Sequence, residues 1–245
     1  MFTKLKASLG IGGAKVDTIV DNSVLYQGET LRGTIHIHGG EVTQQVDAIH
    51  LKLNTEVQVE TEQNSHYEVL TLGSLQLTDS FEIEAHQQLE IPFTLALHDE
   101  TPITALNASH NQSHVWIETT LDLNFAIDPQ DRDYLEIKPL PVVEKILQTI
   151  ENRGYTLAKA DVEKGQLRGN GFLSQSGCYQ EIEFRNDSMF SDKELELSFV
   201  LEGSLVHCLV EVDAGRGDHY FSFSLPLMAT DNEIEGVLAG VVLGE

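Results

Sequence analysis

Histidine is the residue type in this chain whose spacing comes nearest to metal-binding chemistry. His36 and His38 alternate with apolar residues and so share one side of a predicted strand, and His50 lies on a segment that could pair beside it. His110 and His114 are four residues apart, but the Asn- and Ser-rich sequence around them predicts a loop rather than a helix. The chain has no His-Glu-x-x-His and no Cys-x-x-Cys motif. We therefore interpret the histidines as exposed strand residues and predict neither a metal nor another cofactor.

Three other groups of residues lack the spacing that catalysis or ion binding needs. Residues 10–14 are glycine-rich, but no strand precedes them and no helical pattern follows, unlike a dinucleotide-binding loop. Asp128, Asp131 and Asp133 lack the glycine and the bidentate glutamate of a calcium loop. Cys178 and Cys208 lie on predicted strands, where burial makes thiols inert. Because a Gly-x-Ser-x-Gly motif is also absent, we predict a non-enzymatic protein.

Alternation of apolar and polar residues with a period of two runs through most of the chain and predicts β-strands. Ile35 and Ile37, for example, alternate with threonine and histidine, and Gly28 and Gly39 mark turns between the first strands. Residues 99–112 predict a long irregular loop. The same alternation resumes over residues 155–225. Short strands joined by turns predict an all-β protein built from antiparallel sandwiches.

A single helix interrupts this pattern and lies near the predicted domain junction. Apolar residues recur at helical spacing between Pro141 and Gly154, which suit the beginning and the end of a helix. These residues are Val142, Val143, Ile146, Leu147 and Ile150. We predict a helix over residues 142–152, an N-terminal sandwich over residues 1–130 and a C-terminal sandwich over residues 131–245.

The charge of the chain restricts the kinds of partner that it can bind. The formal net charge is −24, and division at residue 127 gives 5 basic against 17 acidic residues before it and 10 against 22 after it, which is −12 in each part. From Leu53 to Asp131 there is no Lys or Arg. Such a surface repels nucleic acid, so we predict that the partner is a protein. A protein with a basic surface is one kind of partner that would suit this charge. Acidity that serves solubility or a salty environment is the alternative.

The longest apolar run lies at the C-terminus, over residues 236–244, and is too short to cross a bilayer. Its large apolar side chains predict burial, either as a last strand of the C-terminal sandwich or against a second copy of the chain. They are Val237, Leu238, Val241, Val242 and Leu243. No apolar stretch follows Lys4 and Lys6 as in a secretory signal. We predict a cytoplasmic protein without membrane insertion.

Several of these segments, taken in order, resemble the bacterial sporulation-control protein M family. The resemblance rests on residues 1–18, the turn at Gly28, Gly39-Gly40, and residues 44–49, 89–95, 116–123, 128–133, 180–184 and 210–213. That family is built on an arrestin-like pair of β-sandwiches. The resemblance therefore implies an arrestin-like fold and a regulatory or scaffold role exerted through protein–protein binding.

The resemblance also suggests a role for the acidic segment near the junction. Asp128, Asp131, Arg132 and Asp133 would form an inter-domain charge cluster, and a solvated surface cluster is the alternative. For the whole protein, a small-molecule or carbohydrate-binding β-sandwich is the alternative function. A metal-dependent hydrolase is a third and is the least supported by the sequence.

Overall fold

The computed structural model describes residues 12–61, 64–186, 194–213 and 217–242 of the chain. The strands that precede the first described helix are β1 Lys15–Val20, β2 Val24–Tyr26, β3 Thr30–His38, β4 Gln44–Glu60, β5 Ser65–Gln76, β6 Phe81–Ile83, β7 Gln88–Ala96, β8 His110–Asn111, β9 Val115–Leu123, β10 Gln130–Tyr134 and β11 Glu136–Lys138. They are followed by α1 Pro141–Asn152, β12 Thr156–Lys164, β13 Arg168–Gly169, β14 Phe172–Leu173, β15 Cys178–Arg185, β16 Glu194–Glu202, β17 Leu205–Asp213, β18 Asp218–Pro226 and α2 Asp231–Val242.

Most strands of the N-terminal part form two sheets that pack face to face, and β2 pairs separately with β11. One sheet has the order β1-β3-β7, and the other runs β10-β9-β4, with β5 on the far side of β4. Alternate residues of β3 point into the space between the sheets, and Leu31, Ile35 and Ile37 are 0% exposed there. The period-2 pattern of the sequence therefore corresponds to an inward apolar face and an outward polar face.

Glycine allows the tight connections at the edge of this sandwich. Gly28 has a φ of +73°, a left-handed conformation that L side chains rarely adopt. Gly39 approaches the carbonyl of Glu84 so closely that a Cβ atom would collide with it. Both positions lie in predicted turns.

One sheet continues from the N-terminal part into the C-terminal part. Gln58 of β4 pairs in parallel with Glu163 of β12, and β8 also pairs with β12. The strand β10, which begins at residue 130, and the strand β11, which follows the predicted boundary after residue 130, pair with β9 and β2 of the N-terminal part. The two parts therefore share backbone hydrogen bonding.

The C-terminal sheet runs β12-β15-β16-β17-β18, and both described helices pack on one of its faces. The predicted helix at 142–152 is confirmed as α1, and its five apolar residues are all buried. They pack against Ile182, Phe184, Leu195 and other inward residues of the sheet. Neither helix of the described chain is long and apolar enough to span a membrane.

The expected last strand is instead the helix α2, which corrects the sequence interpretation of the C-terminal segment. Thr230 and Glu233 bond each other reciprocally, with the Thr230 N–H 2.8 Å from the Glu233 carboxylate, and so cap the helix. Leu238 is 0% exposed and Val237 packs against the same core. This burial outweighs the low helix propensity of valine and glycine. Val241 and Val242 lie in α2, Leu243 lies outside the described residues, and self-association stays a prediction.

Candidate functional site

The outer face of the C-terminal sheet, opposite the two helices, concentrates carboxylates in rows that cross the strands. Ile182 and Phe184 point to the helices, so the alternate residues of β15 point outward. The register places Glu183 directly beside Glu196, and Glu196 beside Glu211. We call this surface the carboxylate face; it comprises Asp161, Glu163, Glu181, Glu183, Glu196 and Glu211.

Three members of the carboxylate face converge closely. Asp161, Glu163 and Glu181 each have an oxygen within 4.8 Å of the others, which makes them the group of described residues that could hold a metal ion. Asp161 is only 2% exposed, and Lys159 donates to its Oδ2 at 2.6 Å. The lysine therefore already neutralises the most buried carboxylate of the group.

Burial and mutual repulsion raise the pKa values of three carboxyls on this face. Burial, followed by repulsion from Glu196 and Asp161, raises the pKa of Glu181 to about 8. Burial and the neighbouring Asp161 raise the pKa of Glu163 to about 7. Burial and Glu211 raise the pKa of Glu196 to about 7. The ordinary pKa of a glutamate is 4.5, and the raised values place the titration of all three carboxyls close to neutral pH.

The cations on this face are bound to particular carboxylates. Lys159 pairs with Asp161, and Arg185 donates from Nε to Glu183 at 2.5 Å. Tyr220 donates its hydroxyl to Glu211 at 2.8 Å. By contrast, the groups that act most strongly on Glu181 and Glu196 are other carboxylates. Lys159 and Arg185 therefore pair with Asp161 and Glu183, whereas Glu163, Glu181 and Glu196 add negative charge to the face once they ionise.

The predicted inter-domain cluster lies along β10 and the turn before it. Asp131 accepts the backbone N–H of Thr18 at 2.6 Å, which ties β10 to β1 across the N-terminal sandwich. Asp128 accepts the N–H of Leu123 at 2.8 Å and so closes the turn between β9 and β10.

The other two members of the predicted cluster also make their contacts around β10. Arg132 lies 3.4 Å from a carboxylate oxygen of Glu118, and its guanidinium carbon is 4.8 Å from the centre of the Trp116 ring. Burial, followed by Asp131, raises the pKa of Asp133 to about 6. These contacts lie within the N-terminal sandwich, and a role across the domain junction stays a prediction.

Polar contacts across the junction come from residues that the sequence analysis did not single out. Glu100 accepts the backbone N–H of Gln175 at 2.8 Å and that of Ser176 at 2.7 Å. Gln180 accepts the N–H of Ile103 at 2.9 Å, and its amide donates to the carbonyl of Ile103 at 2.7 Å. The predicted irregular loop is therefore fixed to the C-terminal part at two points.

His36 and the two cysteines lie on strands, as the sequence predicts, whereas His207 of β17 is only 6% exposed and corrects the interpretation of the histidines as exposed strand residues. His36 of β3 is 3.6 Å from a Glu90 carboxylate oxygen on β7, the neighbouring strand. Cys178 and Cys208 are 1% and 0% exposed, and burial raises the pKa of both thiols. Such thiols are poor nucleophiles.

A small cavity lies at the junction, lined by residues that include Gln27, Ile103 and Gln180. Its volume is about 10 Å³, room for about one water molecule. An open groove of about 440 Å³ lies between α1 and the turn before α2, lined by Val142, Met228 and their neighbours.

Comparison with known proteins agrees with this architecture. The family model described as SpoOM protein matches residues 2–216. The sporulation-control protein spo0M of Bacillus subtilis (strain 168) is 35% identical over 215 residues, which cover 86% of this chain and 80% of that protein. The crystal structure of Spo0M from Bacillus subtilis superposes with a TM-score of 0.82 and 30% identity, covering 96% of this chain and 99% of that one. These matches confirm the predicted family and the predicted strand-rich fold, and the chain belongs to the SpoOM protein family.

Proposed function

We propose that this chain is a non-enzymatic regulatory protein of the cytoplasm that acts by binding a protein partner with a basic surface. Its relative in Bacillus subtilis is named a sporulation-control protein, which supports a regulatory role. The net charge of −24 favours a partner that carries lysine and arginine.

The carboxylate face is the observation that carries this proposal. Half-buried carboxylates that face one another are unfavourable in the free protein, as the raised pKa values of Glu163, Glu181 and Glu196 indicate. A partner that brings Lys or Arg side chains to this face would relieve that repulsion and favour the ionised carboxylates. The face is thus suited to recognise charge rather than apolar shape.

Affinity capture from a lysate of the source organism tests the proposal. The bait proteins are the wild type, the double variant Glu181→Gln/Glu196→Gln, and the control Glu82→Gln/Glu84→Gln, which removes two exposed carboxylates from the N-terminal part. We expect a protein that the wild type and the control retain, that the carboxylate-face variant loses, and that salt elutes. Identical capture by all three baits would contradict the proposed surface.

A further inference from the structure

The turn between β9 and β10 presents a large aromatic side chain to solvent. Phe125 is 94% exposed and has a φ of +56°. Ile127, two residues later, is 62% exposed. A left-handed conformation is unusual for a bulky residue and unfavourable relative to glycine. An exposed phenylalanine and a strained backbone therefore coincide at one position.

The turn around Phe125 is held firmly by hydrogen bonds. The N–H of Ala126 donates to the carbonyl of Leu123 at 3.3 Å, and the carboxylate of Asp128 accepts the N–H of Leu123 at 2.8 Å. The N–H of Asn124 donates to the carbonyl of Gln45 on β4 at 3.0 Å. These bonds fix the base of the turn, so the two apolar side chains project from an ordered support.

The Phe125 side chain contributes little to the packing of the described chain. A fully exposed phenyl ring gains little burial, and the left-handed backbone is destabilising for phenylalanine. Backbone strain of this kind tends to occur where a function maintains it. Aromatic side chains on a rigid support are typical anchors of protein interfaces.

We propose that Phe125 and Ile127 form an apolar anchor that inserts into an apolar pocket of a protein partner whose rim carries Lys or Arg. Asp122 and Asp128 flank the anchor, and the chain has no Lys or Arg from Leu53 to Asp131. This charge is complementary to a basic rim and repels an anionic membrane surface. The inference rests on the proposed protein-binding function but uses a surface distinct from the carboxylate face.

The first test asks whether Phe125→Gly raises or lowers the melting temperature. Phe125→Gly removes the strain and should raise the melting temperature by about 1–4 °C, because glycine adopts this conformation freely. Phe125→Leu keeps both the strain and an apolar side chain and should leave the melting temperature unchanged. A lower melting temperature for Phe125→Gly would show that Phe125 supports the fold, and the anchor proposal would then be wrong.

The second test identifies what contacts the turn. p-Benzoylphenylalanine in place of Phe125 should cross-link a protein in intact cells, whereas the same amino acid in place of Met228, which is 90% exposed, should not capture it. That protein, once purified, should bind Phe125→Gly and Ile127→Ser each about tenfold more weakly than the wild type. Equal affinity for all three forms, or no cross-link at position 125, would overturn the anchor.

Two further arms separate this inference from its alternatives. Sedimentation with equimolar phosphatidylcholine and phosphatidylglycerol vesicles should leave the wild type in solution, and binding that Phe125→Gly abolishes would assign the turn to a membrane instead. A partner whose affinity depends on Glu181 and Glu196 but not on Phe125 would refute the anchor while leaving the proposed function intact.

Discussion

The two parts of this chain carry the same formal charge, −12 on each side of residue 127, but the surroundings of their carboxylates differ. The N-terminal part has the long stretch without Lys or Arg, and the carboxyl of Glu68 there has its pKa lowered, chiefly by the hydrogen bond from Lys164. The C-terminal part has twice as many basic residues, yet there the pKa values of Glu163, Glu181 and Glu196 rise to about 7 or 8.

The difference arises from burial, followed by strand register, rather than from the number of charges. In the C-terminal sheet, outward positions of neighbouring strands are occupied by glutamates, so Glu183, Glu196 and Glu211 stand directly side by side. In the N-terminal part many carboxylates, such as Glu82 and Glu84, are exposed and solvated. Electrostatic repulsion in a fold therefore depends on which residues pair and how deeply they are buried.

The prediction with the largest expected effect on stability comes from removing one cation from each part. Lys159→Met should lower the free energy of unfolding by about 2–3 kcal/mol, because it leaves the buried Asp161 without its partner among other carboxylates. The value lies below the usual range for buried pairs because the Lys159 side chain is 37% exposed. Urea denaturation monitored by fluorescence measures the change.

Lys52→Met is the matched control in the N-terminal part, since Lys52 is exposed on β4. We expect its effect to stay within about 0.5 kcal/mol. Equal losses for the two variants would mean that the carboxylate face is no more strained than the rest of the surface.

The second test changes pH. Glu163, Glu181 and Glu196 have folded-state pKa values raised above the ordinary 4.5, so the folded state binds more protons than the unfolded state between these values. Their contribution to stability is therefore present at low pH and is lost as pH rises through about 7 to 8. The melting temperature should be about 2–5 °C higher near pH 6 than near pH 8.5. A flat or rising profile over that interval would contradict the sign.

The third test neutralises carboxylates in each part at about pH 8. Glu181→Gln/Glu196→Gln should stabilise the protein by about 1 kcal/mol, since an uncharged amide removes the repulsion on the face. Glu82→Gln/Glu84→Gln should change stability by less than about 0.5 kcal/mol, because both carboxylates are exposed. Thermal melts of both variants measure the difference, and stabilisation by the second pair alone would reverse the comparison.

Local patterns in the sequence were sufficient for the strands and for α1. Ile35 and Ile37 alternate within β3, and the apolar spacing around Ile146 marks a helix, so no distant contact is needed to recognise either element. The helix α2 also had a local signal, because Thr230 and Glu233 have the spacing of a capping box. The apolar, glycine-containing segment after it has low helix propensity and therefore favoured the prediction of a strand.

The carboxylate face and the junction contacts could not be predicted in the same way. Glu183, Glu196 and Glu211 become neighbours only through the pairing of three strands. Gln180 bonds Ile103 across 77 residues of sequence, within a loop whose composition indicates only irregular structure. The stretch without Lys or Arg was the most visible charge feature, but it says nothing about burial, which determines the pKa shifts.

Salt should have the smallest effect on the melting temperature. Its effect distinguishes repulsion between exposed carboxylates from repulsion between half-buried ones. The Debye length shortens from about 10 Å at 0.1 M salt to about 3 Å at 1 M, so repulsion between exposed carboxylates weakens while that between half-buried ones changes less. We expect the melting temperature to rise by about 1–3 °C between low salt and about 0.5 M salt. Because the exposed carboxylates of the N-terminal part remain in the Glu181→Gln/Glu196→Gln variant, that variant should keep most of the rise. If the rise disappears in the variant, the carboxylate face is open to ions and is less buried than the raised pKa values of Glu181 and Glu196 imply.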